Sequence, residues 1–107
     1  MDGLAIRVPT PDVSLVDVVV ELEKEAKLEE INSAFKQASE GRLKGILKYS
    51  EEPLVSSDFI TDPASAIVDA ASTFIVEGRM VKVLGWYDNE WGYSNRVVDF
   101  AEYMCKK

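Results

Sequence analysis

From Val13 to Glu23 the chain alternates at a period of two. Val16, Val18, Val20 and Leu22 fall on one face, and Leu15 and Val19 sit beside Asp17, Glu21 and Glu23 on the other. That pattern predicts a long strand with one core face and one partly wet face. Ahead of it, Leu4 to Val8 reads as a short strand ended by Pro9-Thr10-Pro11-Asp12. Prolines there remove backbone donors and exclude a helix. Residues 4–23 are therefore expected to form an antiparallel pair. From Lys27 to Glu40 the period lengthens, and Leu28, Ile31, Phe35 and Ala38 form one helical stripe, with Glu29 and Glu30 in the first turn. Acidic residues there complement the helix dipole. Ala26 and Lys27 offer no N-cap acceptor, and Gly41 supplies a C-terminal cap.

Gly45–Tyr49, Val55–Phe59 and Ala66–Val68 read as short strands, and Asp62-Pro63 as a break. Glu77-Gly78 predicts a tight hairpin between Thr73–Val76 and Met80–Tyr87. In that last strand Val81, Val83 and Gly85 face one way and Met80, Leu84 and Trp86 the other, with only Lys82 interrupting. A strand apolar on both faces is expected to be central or covered on both sides. From Trp91 onward, Tyr93, Val97, Phe100, Ala101 and Met104 mark a second amphipathic helix. The expected fold is a strand-rich α+β domain over residues 1–107. It has about six or seven strands in a mostly antiparallel or mixed sheet, one packed helix and a C-terminal helix.

Length and composition then narrow the function classes. A chain of 107 residues is one domain and should bury roughly 65% of the surface of its unfolded form. The formal charge of -7, from 12 basic and 19 acidic residues, argues against nucleic-acid or membrane-surface partners. A single cysteine allows no internal disulfide, and the N-terminus shows no signal-peptide pattern. The expected location is the cytoplasm.

The most informative stretch is Trp86-Tyr87-Asp88-Asn89-Glu90-Trp91-Gly92-Tyr93-Ser94-Asn95-Arg96-Val97-Val98-Asp99, an aromatic and polar run at a strand-to-helix junction. It closely resembles the C-terminal signature of the phosphorylating glyceraldehyde-3-phosphate dehydrogenase family. Ala5-Ile6-Arg7-Val8-Pro9-Thr10-Pro11, followed by Val13-Ser14-Leu15-Val16-Asp17, matches at the other end. Ala38–Leu47 and Val55–Phe59 match between them, in order and spacing. The resemblance implies a whole enzyme about three times longer, with an N-terminal dinucleotide-binding domain and a catalytic cysteine–histidine pair. It implies that the last helix leaves this domain to pack on the nucleotide-binding domain, and that the outer sheet face joins subunits in a tetramer. This chain has no histidine, and Cys105 does not stand in the family's Ser-Cys-Thr-Thr setting. The expectation is a fragment, with Met1 and Asp2 replacing mid-chain residues just before a strand.

Arg7 stands among Leu4, Ala5, Ile6 and Val8, where a guanidinium could offer bidentate donors to a phosphate. Read from residues alone, the commoner role is a strand-end arginine that reaches solvent or pairs with Asp12 or Asp17. The resemblance makes Arg7 the substrate-phosphate arginine. Asn89 carries an amide that can both donate to and accept from a carboxamide, although by itself it reads more readily as a turn or capping residue. The resemblance implies that Asn89 orients the nicotinamide of NAD or NADP, with Tyr93 beside the ring. Trp86, Tyr87 and Trp91 are read as packing residues. Cys105 lies at a helix C-terminus, where the dipole disfavours a thiolate. Asp58, Asp62, Asp69 and Asp88 match no metal loop and are read as surface or turn carboxylates. Gly41 and Gly45 match neither phosphate-binding glycine motif. Many family members carry a histidine and a serine in the segment that here reads Asp62-Pro63-Ala64-Ser65-Ala66, so alanines at 64 and 66 would weaken a polar or interface role.

The expected function is thus a part of an NAD(P)-dependent dehydrogenase. The family oxidises the aldehyde of glyceraldehyde 3-phosphate through a thiohemiacetal, hydride transfer to nicotinamide and phosphorolysis of the thioester. The chain alone is expected to be inactive and to bind no cofactor. Its expected partners are the missing N-terminal domain and further copies of itself. The rival reading is a non-catalytic folding or self-association module. Within the family, an erythrose-4-phosphate dehydrogenase stays open, although Tyr87, where those enzymes often have cysteine, leans toward the triose enzyme.

Overall fold

The computed structural model describes residues 3–106; Met1, Asp2 and Lys107, including the two expected to precede a strand, lie outside it. Element order is β1 (Ser14–Glu21), α1 (Leu28–Glu40), β2 (Leu47–Ser50), β3 (Ala66–Asp69), β4 (Phe74–Val76), β5 (Met80–Tyr87) and α2 (Trp91–Cys105), with short 3-10 turns at Ser56–Phe59 and Ala70–Ser72. The fold is α+β with a mixed five-stranded sheet ordered β1-β5-β3-β2.

β5 is central, as its two apolar faces require. β1 pairs with it antiparallel from Ser14↔Tyr87 to Glu21↔Met80. On the other side its first half takes β4 and its second half β3, both antiparallel. β2 then adds parallel to β3. The hairpin from β4 to β5 turns through Glu77 and Gly78, both with positive φ (54° and 76°). On α1, Ile31, Phe35 and Ala38 of the expected stripe are half-buried while Leu28 is exposed. No side chain caps α1 at Lys27, and Gly41 N–H closes the far end on Gln37 O. Gly41 does so without a left-handed φ (-113°).

Two expected strands are absent, which is why the sheet has five rather than six or seven. Val55–Phe59 closes locally instead. Asp58 N–H donates to Val55 O at 3.0 Å, and Val55 N–H donates to Asp58 Oδ2 at 2.8 Å. Serine and aspartate side chains that offer the backbone a nearby partner compete with a ladder. Leu4–Val8 has no strand partner among the described residues, because β1 pairs with β5 instead. Leu4, Ile6 and Val8 are left 61–84% exposed.

The core is small: Val13, Phe59, Ala64 and Ile67, with Leu54 and Trp86 packed against them. The Phe59 and Trp86 rings stack with centroids 5.7 Å apart. β1 lacks the covered face that its alternation suggested, since Val16, Val18 and Val20 are as open as Leu15, at 43–45% exposure. The accessible surface is 8148 Å², so folding buries only about half of the unfolded surface rather than roughly 65%. Among the described residues no helix is long and apolar enough to cross a membrane.

Candidate functional site at the start of the C-terminal helix

Where β5 runs into α2, Asp88 is 1% exposed and organises the junction. Its Oδ1 accepts the N–H groups of Glu90 (3.0 Å) and Trp91 (2.8 Å). Its carbonyl accepts Gly92 N–H at 3.0 Å, the first helical bond. Asp88 therefore caps α2 in the manner of an N-cap aspartate, and the capping role considered for Asn89 falls to its neighbour. Asp88 Oδ2 accepts Thr61 N–H at 2.8 Å, tying in the loop before β3. Burial pushes this carboxyl upward. The N–H groups of Trp91 and Thr61, a hydrogen bond from Asp12 and the N–H of Glu90 outweigh burial and hold it below the usual aspartate value of 3.8. Asp12 is shifted the other way, above 3.8. Burial is the main cause, then its hydrogen bond to Asp88 and the negative charges of Asp88 and Glu90, against a smaller downward pull from Val13 N–H.

Asn89, Tyr93 and Arg96 follow at i, i+4 and i+7, one face of the helix. That face opens onto a recess of about 280 Å³, lined also by Ser65, Tyr87, Asp88 and Gly92. The Asn89 carboxamide makes no hydrogen bond among the described residues, and Tyr93 is 71% exposed. Arg96 forms the far wall. It donates to Gly45 O (3.2 Å) and Ser65 Oγ (3.3 Å) and pairs with Asp99 at 2.9 Å. Gly92 lets the helix approach the floor: a Cβ there would meet Ala64 O at 2.7 Å. Ala64 is wholly buried, so its methyl serves the core.

The structure brings Asn89 and Tyr93 together. Arg7 is not among the residues lining the recess. It lies on the exposed segment before β1 and makes no ion pair with the acids considered for it: Asp17 pairs with Lys82 at 2.9 Å, and Asp12 accepts Val13 N–H at 2.9 Å. Sequence reasoning missed Arg96 and Ser65, although the i+7 spacing from Asn89 was a usable signal for Arg96. Tyr87, read as packing, lines the recess. Among the four aspartates, Asp58 and Asp62 serve turns, but Asp69 and Asp88 are buried rather than surface groups. Asp69 Oδ2 accepts from Ser72 Oγ at 3.1 Å. Among the described residues no group of three or more His, Cys, Asp or Glu side chains could hold a metal ion.

Residues 1–89 match the family described as glyceraldehyde 3-phosphate dehydrogenase, C-terminal domain. The chain belongs to that family. All 107 residues align with a glyceraldehyde-3-phosphate dehydrogenase of Bacillus cereus at 65% identity. They align with one of Geobacillus stearothermophilus at 60% and with one named as cytosolic from Chlamydomonas reinhardtii at 56%. The chain spans 32%, 32% and 31% of those relatives' lengths. The dehydrogenase family match covers β1 to β5 and stops at Asn89, so the whole of α2 rests on the pairwise identities.

Proposed function

We propose that this chain forms the C-terminal part of the catalytic unit of an NAD- or NADP-dependent, phosphorylating glyceraldehyde-3-phosphate dehydrogenase of the cytoplasm. The observation that carries the reading is the unpartnered Asn89 amide beside Tyr93 in an open recess. A recess of about 280 Å³ lies at the small end of ligand sites, room for one planar ring rather than a whole dinucleotide. Asn89 would donate to and accept from the nicotinamide carboxamide, and Tyr93 would cover one side of the ring. The bound cofactor supplies the hydride acceptor. Arg96, already neutralised by Asp99, holds the wall in place. Arg7 would bind the substrate phosphate. Nothing in these 107 residues resembles the family's nucleophile and base: there is no histidine, and Cys105 is exposed at the end of α2.

The reading is tested in a polypeptide of the relatives' length carrying this stretch. Arg7→Ala should lower kcat/KM for the phosphorylated aldehyde by about 2–4 kcal/mol of transition-state binding, with a much smaller loss for an unphosphorylated aldehyde. Equal losses would make Arg7 structural. Asn89→Ala should weaken cofactor use while leaving the melting temperature near that of the parent. The 107-residue chain alone should show no turnover above a buffer blank with glyceraldehyde 3-phosphate, phosphate and NAD.

A further inference from the structure

The helix α2 meets the body of the domain at Gly92 and Arg96, which lie on one helix face, about 6 Å apart along the axis. At Gly92 the helix comes against Ala64, where an added Cβ would lie 2.7 Å from the carbonyl oxygen. One turn later, Arg96 Nη1 donates to Gly45 O at 3.2 Å and to Ser65 Oγ at 3.3 Å. Both acceptors stand on tied backbone. Ser65 N–H donates to Ile46 O at 2.8 Å, and the parallel pair of β2 and β3 begins just beyond, at Leu47↔Ala66. Asp99, one turn further along α2, holds Arg96 Nη2 at 2.9 Å, which fixes the plane of the guanidinium fork. Past Arg96 the helix is open, with Val97, Val98, Phe100 and Met104 49–65% exposed.

We propose that Arg96 is a positioning residue: by fixing α2 to the start of β2 and β3, it sets the angle of the helix and with it the aim of the Asn89 amide and the Tyr93 ring. The inference rests on the nicotinamide reading of the recess, whose wall Arg96 and Ser65 share with Asn89 and Tyr93. Asn89 and Tyr93 flank Gly92 in sequence, three residues before it and one after. The Asp88 bonds to Glu90 and Trp91 and the Gly92 contact all lie at the first turn, and a helix held there can tilt about that end. A tilt re-aims both side chains without removing either. A recess of about 280 Å³ admits the nicotinamide ring alone, so the rest of the dinucleotide would be held elsewhere. Loss of aim should therefore slow hydride transfer more than it weakens cofactor binding, because a misplacement of about 1 Å can cost on the order of 10²-fold in rate.

Steady-state kinetics with NAD, in a polypeptide of the relatives' length carrying this stretch, test the role. Arg96→Met should lower kcat about tenfold while the cofactor KM moves less than about threefold. The deuterium isotope effect with an aldehyde labelled at its carbonyl carbon should rise, since hydride transfer has become slower. Arg96→Lys, whose ammonium can donate to the same two oxygens, should recover most of the rate. Ser65→Ala removes one acceptor and should lower kcat about threefold, and the double variant should lose no more than Arg96→Met alone. Should Arg96→Met fail to fold, Ser65→Ala decides the matter by the same split. An unchanged kcat in Ser65→Ala and Arg96→Met beside a slowed Asn89→Ala would overturn the positioning role and leave the nicotinamide reading standing. An unchanged Asn89→Ala would overturn both.

Discussion

Asp88 stays ionised in a nearly closed site because its oxygens accept three backbone N–H groups. Its folded pKa lies below 3.8, so its stabilising contribution is complete above 3.8 and is lost as pH falls through the folded value. Asp12 has the opposite sign. Its folded pKa is raised, so its contribution is complete below 3.8 and is lost as pH rises through the folded value. Urea titrations at pH 4 and pH 7 should therefore find Asp12→Asn gaining on the parent toward neutral pH; a constant difference would contradict that shift. Gly92 is required by sterics rather than by φ. A methyl placed 2.7 Å from Ala64 O meets backbone that cannot step aside, so Gly92→Ala should cost about 1–3 kcal/mol, read as a lower urea midpoint.

Among the elements, those with a local cause were legible. Apolar spacing in Leu28–Glu40 and Trp91–Cys105 and the Glu77-Gly78 pair carry their own geometry, and the structure has all three. In the hairpin, Gly78 at φ 76° suits its residue while Glu77 at 54° does not. Glu77→Asn should stabilise by about 0.5–1 kcal/mol, because asparagine tolerates the left-handed region. Gly78→Ala should cost about 1 kcal/mol. Thermal melts of the two variants should move in opposite directions. The strands expected at Leu4–Val8 and Val55–Phe59 fail for a different reason. An alternating pattern states which face would be buried, but a strand also needs a partner edge. At 55–59 the local Asp58 bonds replace the ladder, and the exposed partner face at 4–8 stays empty.

For the molecule as a whole, 8148 Å² of accessible surface compares with about 5,900 Å² for a monomer of this mass. The radius of gyration of 15.1 Å compares with about 13 Å for a domain of this length. Val18, Val19 and Val20 on β1 and Val97, Val98, Phe100 and Met104 on α2 are 43–65% exposed, more apolar surface than lone domains tolerate. The 107-residue chain is therefore expected to self-associate. Its charge of -7 opposes this only within a Debye length of about 8 Å at physiological salt, whereas burial gains roughly 25 cal/mol per Å². Light scattering on a chromatography column across a tenfold dilution should show a dimer or larger. A single mass near 11.9 kDa throughout would refute it.

Helix periods, the hairpin and the centrality of β5 were determined by the sequence alone, because each depends on residues within a few positions of one another or on one strand's own two faces. The family resemblance was equally legible, since the motif Trp86–Asp99 is contiguous. Only the tertiary structure decided that Asp88 is buried and holds Thr61 N–H, and that Arg96 reaches back to Gly45 and Ser65. Those contacts join residues 27 to 51 positions apart. A one-dimensional pattern holds no record of which distant groups the fold will bring together, because burial and electrostatics are set by proximity in space.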